Sequence, residues 1–360
     1  MNIVSFGGLG GSIEDVVIDY NTGEAIYDSG NSPTTPPGRI YRNVTLNNNG
    51  SDILHYDLFE ILFDRTLDAQ AMINGKPLVG GTIWVRANST LTITPGTDLR
   101  FGIGISIEGN LIAEGTPAQP ISFSSRNATP APGDWGSFSL YDPAGSVRLA
   151  YCNIGYAGIS STTGAINLFG PNVLIRNCHI HHSATNGIYL QQSKLSFPLN
   201  NLALTDNRGV GISLYADSQL QAYHTTLARN QAGIEILDSG SLAILTNTIL
   251  SANGTGVQVW NGSLRLTQTL WDNNSINSHV GPGASFSESG HFVGQSAFAP
   301  DGYHLSASSL AVQKGLYTQV TDDIDGESRP QPSGSAPDLG ADESPYTITL
   351  TSVYLPVLRK

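Results

Sequence analysis

Charged residues are scarce in this chain, and long apolar runs are missing from it. Lys, Arg, Asp and Glu make up 13% of its 360 residues, and their balance gives a formal net charge of −12 at pH 7. This charge argues against nucleic acid as a partner, because a phosphate backbone attracts basic surfaces. No stretch reaches the roughly 20 predominantly apolar residues that a membrane-spanning helix needs, so the sequence predicts no membrane span.

A secretory leader is not visible at the start of the chain either. Residues 1–20 lack a basic beginning and a continuous apolar core, the two marks of a signal peptide. Alternating strand patterns nevertheless begin at once, in residues 16–18 and 24–27. A repeat that starts without a cap would expose a sheet edge, so we expect this sequence to be part of a longer chain.

Cysteine is nearly absent, with Cys152 and Cys178 as its two examples. Each precedes an apolar residue of a repeating column, Ile154 or Ile180, by two positions. We therefore expect the cysteines on neighbouring rungs, with Cα atoms about 4.8 Å apart. That distance is within disulfide range, whereas vertical stacking favours two small buried thiols, so the sequence leaves both states open.

What the chain has in place of helical patterns is an internal repeat. Short runs that alternate apolar and polar residues begin at Gly187, Gly211, Gly233 and Gly256, which are 24, 22 and 23 residues apart. A second alternating run precedes each of them. Self-similarity at such a period indicates a solenoid, and alternation without a helical period predicts short strands. The fold prediction is an all-β, single-stranded parallel β-helix of about 12 rungs, each of roughly 20–26 residues.

Two columns of identical residues support this register. Leucines recur at positions 204, 227, 250 and 270, and an asparagine follows each of them by three residues. Like side chains on stacked rungs contact their copies above and below, and amides in such a file hydrogen-bond to one another. The predicted structural ladder consists of Asn207, Asn230, Asn253 and Asn273.

The same pattern suggests how the chain is organised. We expect one continuous β-helix over residues 1–345 and a C-terminal tail over 346–360. Within the β-helix, residues 1–64 form N-terminal rungs, 65–140 a second block with a loop at 124–134, 141–275 the regular rungs, and 276–345 a closing segment.

Several phrases resemble those of a known superfamily. Residues 91–97 (LTITPGT), 107–116, 120–123 and 133–136 resemble the opening rungs of secreted bacterial right-handed parallel β-helix proteins of the pectate-lyase-like superfamily. Residues 302–306, 323–326 and 337–343 (PDLGADE) resemble the terminal segment of choice-of-anchor β-helix proteins. The resemblance implies a right-handed coil and an extracellular or cell-surface location. It does not fix an activity, because the superfamily includes lyases, hydrolases, epimerases, adhesins and tailspikes.

The outward row of the glycine-initiated strands is the predicted binding surface. Flat rings along a sheet stack on sugar faces, and polar side chains beside them bond to hydroxyls. The predicted carbohydrate-binding residues are Tyr189, Tyr215, Glu235, Gln258 and Trp260. The alternative is that these side chains merely fill outward strand positions, since Tyr and Trp have high β propensity.

Catalytic groups are sparse on this row. Glycoside hydrolysis requires two carboxylates on one surface, and Glu235 is alone in its column. The paired-Asp and Gly-His-Gly phrases of polygalacturonases and the Trp-Ile-Asp-His type of phrase of pectate lyases are also missing. We therefore expect a non-catalytic β-helix that binds polysaccharide or another cell-surface glycan. The alternative is a polysaccharide lyase or glycoside hydrolase with Glu235 and Tyr189 as its ionising groups.

Two further segments contain metal-ligand residue types. His179 and His181 alternate with Cys178 and Ile180 and should point outward, but no third ligand has suitable spacing, so no metal site is predicted there. Residues 322–327 are rich in carboxylates, which calcium favours, but they lack the other ligands of an EF-hand loop. We expect an acidic turn that closes the coil and no cofactor, with calcium as the one ion that this turn would suit.

Overall fold

The structure, a computed structural model, describes residues 78–141, 144–159 and 164–347. Before residue 78 it describes shorter pieces: 4–5, 12–14, 16–20, 24–28, 40–42, 45–47, 51–56, 58–62 and 64–67. From residue 348 onward the predicted tail lies outside the described residues.

Within these ranges the regular structure consists of strands. They are β1 (Val4–Ser5), β2 (Ser12–Glu14), β3 (Val17–Asp19), β4 (Glu24–Asp28), β5 (Ile40–Arg42), β6 (Thr45–Asn47), β7 (Ser51–Tyr56), β8 (Leu58–Ile61), β9 (Arg65–Leu67), β10 (Leu78–Val85), β11 (Thr90–Ile93), β12 (Asp98–Ile107), β13 (Asn110–Glu114), β14 (Ile121–Ser125), β15 (Phe138–Leu140), β16 (Ser146–Ala150), β17 (Cys152–Gly155), β18 (Gly164–Leu168), β19 (Val173–His181), β20 (Asn186–Gln191), β21 (Leu199–Thr205), β22 (Val210–Tyr215), β23 (Gln219–Ala228), β24 (Ala232–Ile236), β25 (Leu242–Ser251), β26 (Thr255–Val259), β27 (Ser263–Asp272), β28 (Ile276–Val280) and β29 (Ser285–Val293).

From β8 onward each strand pairs in parallel with its counterpart on the next rung, and the rungs stack into a coil with three faces. Face A contains β8, β15, β18, β20, β22, β24, β26, β28 and the second halves of β10 and β12. Face B contains β9, β11, β13, β16 and the first halves of β19, β23, β25, β27 and β29. Face C contains β14, β17, β21 and the second halves of those last five strands.

This topology is a right-handed parallel β-helix, as the sequence predicts, with about 9 turns. The count is lower than the predicted 12 because residues 294–347 leave the coil and form no further strand, and because the strands before β8 pair in separate sheets. The strands before β8 form three small parallel sheets, β1–β4–β7, β2–β5 and β3–β6.

The core is a file of inward apolar side chains. On face C it runs through Ile154, Ile180, Leu204, Leu227, Leu250 and Trp271, all of them buried. Burying one such side chain stabilises the fold by about 1.5–3 kcal/mol, and the sum over the rungs holds the coil together. The sequence prediction that Leu270 continues this file is wrong. Leu270 pairs with Ile249 and points outward, because the last rung is one residue longer than the leucine spacing suggests.

The predicted asparagine ladder forms at the corner between faces C and A, with one change of member. Asn207 Nδ2 donates to Asn230 Oδ1 at 2.9 Å, and Asn230 Nδ2 donates to Asn253 Oδ1 at 3.2 Å. The next acceptor is Asn274 Oδ1, at 3.0 Å from Asn253 Nδ2, so the prediction of Asn273 is wrong. Asn273 is exposed and has a φ of 52° at the bend before the ladder. The sequence has asparagine at both 273 and 274. Because this rung is one residue longer than the leucine spacing suggests, Asn274 occupies the ladder position.

Cys152 and Cys178 lie buried on neighbouring rungs of face C and are free thiols. The Cys152 thiol donates to Ala113 O at 3.3 Å, and the Cys178 thiol donates to Arg176 O at 3.0 Å.

The segment after β29 lies along the outside of face C, not over the end of the coil. Its apolar residues Leu305, Ala311 and Leu339 pack on Ile249 and Leu270, which point out of the coil. Ile324 and Ala341 pack in the same way on Ala203. The expectation that the acidic turn at 322–327 closes the coil is therefore wrong, since this turn lies against the side of the rungs.

A column of polar residues at the corner between faces B and C binds this segment. Each of these residues bends the chain with a positive φ: Asn177, Asn201, His224, Asn247 and Gln268. The side-chain amide of Asn247 bonds to the backbone of Leu316 as a neighbouring strand would. Its Nδ2 donates to Leu316 O and its Oδ1 accepts from Leu316 N, both at 2.8 Å. Gln268 Nε2 donates to Lys314 O at 2.9 Å, and Asn201 Nδ2 donates to Asp322 O at 3.1 Å. One side chain per rung thus fastens the segment to the coil.

Candidate functional site

Face A places the predicted binding residues in one vertical column. Tyr189 pairs with Ser213, Ser213 with Glu235, and Glu235 with Gln258, so the predicted order along the coil is present. His279 extends the column by one rung. Ser213 is buried in this column, so the accessible side chains are those of Tyr189, Glu235, Gln258 and His279.

A second column, two residues further along each strand, contains the exposed rings. Tyr215 is 43% exposed and Trp260 is 44% exposed, and Leu237 lies on the rung between them. Two rungs span about 9.6 Å at the usual strand spacing. Together, these rings and the polar column beside them form a shallow surface that runs parallel to the coil axis.

The aromatic column continues toward the N-terminus beyond the predicted residues. Tyr141 and Phe169 stack with their ring centroids 5.7 Å apart and their planes 15° apart. Tyr141 was not among the residues predicted for this surface. The signal that would have found it is its position two residues after Ser139, because Ser139 pairs with Asn167 at the head of the polar column.

Glu235 is held in place by its neighbours on this surface. Its Oε1 accepts the indole N–H of Trp260 at 3.0 Å, and its Oε2 accepts from Ser213 Oγ at 3.3 Å. The Trp260 ring also contacts the His279 ring, with centroids 4.5 Å apart. The carboxylate therefore orients the indole, and the Trp260 residue remains 44% exposed.

Tyr189, the other candidate ionising group, is a neutral phenol at physiological pH. Burial raises its pKa, and the nearby Tyr215 raises it further. Its hydroxyl donates to Gln191 Oε1 at 3.5 Å. Among the described residues of this column, Glu235 is the one carboxylate, since its neighbours are Asn167, Ser213, Gln258 and His279. Within the described part of this column, Glu235 therefore has no second carboxylate with which to form the pair used in glycoside hydrolysis.

The histidines of face C are placed differently from the sequence expectation. His179 and His181 do point out of the coil, but they are partly buried because the Tyr303 ring covers His179 at a centroid distance of 4.5 Å. His181 Nδ1 lies 2.9 Å from His182 Nδ1. Burial together with the neighbouring His182 lowers the pKa of His181 to about 4. Burial also lowers the pKa of His179, so His179 and His181 are neutral packing groups at pH 7.

The carboxylate of Asp323 in the acidic turn accepts hydrogen bonds from backbone N–H groups of the same segment. Asp323 Oδ1 accepts from the backbone N–H groups of Asp325 at 3.0 Å and Glu327 at 2.8 Å. Its Oδ2 accepts from Glu343 N at 2.9 Å. Burial raises the pKa of Asp323 to about 6. This carboxylate therefore organises the turn and its contact with residue 343.

A buried arginine organises the remainder of the segment. Arg329 donates to Glu343 Oε2 at 2.8 Å and to the carbonyl oxygens of Asp338, Gly340 and Ala341. A buried ion pair of this kind stabilises the fold only when its remaining hydrogen-bonding groups are satisfied, as they are here. The phrase at residues 337–343 is accordingly the packing core of the segment.

A family model agrees with the fold. Residues 139–276 match the family model described as right handed beta helix region. Among solved structures, the periplasmic alginate epimerase AlgG is similar at 12% identity and a TM-score of 0.42, over 81% of this chain and 78% of that one. Pectate lyase Pel9A is similar at 13% identity and a TM-score of 0.32, over 72% and 88%. No curated protein matches the sequence. In the described part of the chain, no helix has the length and apolarity to cross a bilayer. The matched residues include every residue of the face A surface from Tyr141 to Trp260 and end within β28.

Proposed function

We propose that this chain is a non-catalytic extracellular or cell-surface β-helix that binds a polysaccharide along face A. The observation that supports the proposal best is the column of exposed rings in which Tyr215 and Trp260 lie two rungs apart. Rings of this kind offer sugar faces a large apolar contact, and the polar column beside them offers hydrogen bonds to hydroxyl groups.

The shape of the surface favours an extended polymer over a small sugar. Tyr215 and Trp260 lie two rungs apart, about 9.6 Å along the coil axis, which suits a chain whose successive units present the same face at a regular repeat. Tyr141 and Phe169 lengthen the same column toward the N-terminus. The net charge of −12 favours a neutral polysaccharide over an acidic one, because like charges repel.

Two observations support a binding role over a catalytic one. Glu235 is engaged by Trp260 and Ser213, and no second carboxylate stands in its column among the described residues. The raised pKa of Tyr189 makes this phenol a poor base at neutral pH. The alternative, a lyase or hydrolase acting on the same face, predicts the release of unsaturated products or of reducing ends.

The test is binding to a panel of neutral and acidic polysaccharides, measured by affinity electrophoresis and calorimetry. We expect Trp260→Ala and Tyr215→Ala each to weaken binding several-fold, since a stacked ring contributes about 0.5–1.5 kcal/mol beyond its buried area. Phe197→Ala is the matched control, because Phe197 is an aromatic residue that is 51% exposed but does not lie on face A. If no polysaccharide binds, or if the two face A variants bind as the unchanged chain does, the proposal is wrong. Product release that stops with Glu235→Gln would establish the catalytic alternative.

A further inference from the structure

We propose that His304, Asp325 and Asp342 form a binding site for a divalent transition metal ion, with Zn²⁺ as the expected ion. One ring nitrogen of His304 and one carboxylate oxygen from each aspartate lie within 4.8 Å of one another. The three residues come from separate parts of the segment that covers face C, so the site exists only in the folded chain. It is independent of the face A surface.

The arrangement around His304 matches that of a metal-ligating histidine. Its Nδ1 lies 2.5 Å from Asp301 Oδ2, and its Nε2 lies 2.5 Å from Asp325 Oδ2. Histidines that bind metals usually donate their other ring N–H to a carboxylate, which fixes the orientation of the ring. Asp301 is placed for that role, and Nε2 then faces Asp325 and Asp342.

Asp342 provides an independent observation that points to a cation. It is only 6% exposed, and its Oδ2 accepts from Leu305 N at 2.7 Å. In the part of the chain that the structure describes, no Lys or Arg forms an ion pair with it. Arg329 interacts with Asp342 electrostatically but is already paired with Glu343 Oε2 at 2.8 Å. A carboxylate buried to this degree normally has a cationic partner or binds a metal ion.

The balance of charge also favours a divalent ion. Three carboxylates, Asp301, Asp325 and Asp342, surround one imidazole, which can supply a single positive charge. A divalent ion would take the place of the proton between His304 Nε2 and Asp325, and that proton would leave to solvent. Imidazole and carboxylate together suit Zn²⁺, whose bonds to nitrogen and oxygen are about 2.0–2.2 Å long.

The bound ion would tie the segment together where it turns. His304 lies at the first turn after β29, Asp325 in the acidic turn, and Asp342 beside the Glu343 that binds Arg329. The chemistry assigned is structural, and Zn²⁺ would stabilise the folded segment in proportion to its affinity.

The test is a titration of the full chain with ZnCl₂ after removal of metals with a chelator, followed by calorimetry. We expect one Zn²⁺ per chain and a higher melting temperature in its presence. Asp342→Asn and Asp325→Asn should each weaken Zn²⁺ binding by about 10–100-fold or more, since changes even to residues behind the ligands have effects of this size. Asn at position 342 can still accept from Leu305 N, so this variant removes charge with little change of shape.

His181→Gln is the matched control, because it removes an imidazole of the nearby histidine cluster and leaves the proposed ligands intact. The proposal would be overturned if Zn²⁺ does not bind, if both Asp variants still bind it as the unchanged chain does, or if His181→Gln abolishes the binding. X-ray absorption at the zinc edge gives a measurement on the unchanged chain. One imidazole with oxygen ligands is expected, whereas two or more imidazoles, or none, would place the ion elsewhere and overturn the proposal.

Discussion

The indole N–H of Trp260 donates to Glu235, which lies one rung earlier on face A, over a distance of 3.0 Å. The bond crosses between the polar and the aromatic column, so it couples the two sets of side chains that the proposed polysaccharide would contact. Glu235 thereby has an orienting role that requires no ionisation chemistry.

This bond makes a prediction about polysaccharide binding. Glu235→Ala should weaken it by about 2- to 10-fold, because Trp260 loses its orientation and part of a ring contact worth about 0.5–1.5 kcal/mol. Glu235→Gln should lose less, since the amide oxygen can still accept from the indole. Calorimetry on the two variants, with Phe197→Ala as control, measures which of them loses more affinity for the polysaccharide. An equal loss in both Glu235 variants would show that the negative charge itself matters.

The asparagine ladder should dominate the local stability of the regular rungs. Asn230→Ala removes the acceptor of Asn207 N and the donor to Leu204 O, leaving buried polar groups without partners. We expect a loss of about 2–4 kcal/mol in the free energy of unfolding, measured in urea, because each unsatisfied group costs about 1–3 kcal/mol. Asn273→Gly should be close to neutral, since that residue is exposed and glycine tolerates its φ of 52°. A larger loss of unfolding free energy for Asn273→Gly than for Asn230→Ala would mean that Asn273 belongs to the ladder.

Stability should fall in mild acid because of His181. Its pKa is lowered from 6.5 to about 4, so the unfolded chain binds the proton more tightly than the folded one. Its contribution is present above pH 6.5 and is lost as the pH falls toward 4. After allowance for partial exposure, we expect on the order of 2 kcal/mol between pH 7 and pH 4.5. His181→Gln should flatten the unfolding free energy across this range relative to the unchanged chain. Parallel curves for the two proteins would contradict the assignment.

Asn247 should control whether the C-terminal segment stays on face C. Asn247→Gly keeps the backbone conformation, for which φ is 60°, but removes both bonds to Leu316. Limited proteolysis should then cut within residues 313–321 much sooner, while the circular dichroism of the coil is retained. Asn273→Gly is the control for adding a glycine at a positive φ. Equal cleavage rates for Asn247→Gly and the unchanged chain would mean that apolar packing alone holds the segment.

The local repeat made the coil predictable from the sequence. Alternation and glycine spacing predicted the rungs and the register of Tyr189, Glu235 and Gln258, because each rung repeats the same local geometry. The sequence could not show which of the adjacent residues Asn273 and Asn274 joins the ladder, because this depends on whether the rung is one residue longer.

The covering of face C was not predicted, although a signal for it exists. In β25, Ile249 and Leu250 are adjacent and both buried, one under the segment and one in the core. Adjacent apolar residues of this kind are typical of a strand that is buried on both sides. The grouping of His304 with Asp342 could not be predicted, because residues 38 positions apart come together only through the fold of a segment without a repeat.

The C-terminal segment changes how the coil should come apart. A stack of rungs in contact only with their nearest neighbours frays from its ends, because each rung adds its own small increment of stability. Here a single ribbon is fastened to successive rungs through Asn177, Asn201, Asn247 and Gln268, so a rung cannot open without loosening attachments several rungs away. The segment therefore couples the unfolding of rungs that are not neighbours. The middle of the coil should unfold in one cooperative step and not rung by rung.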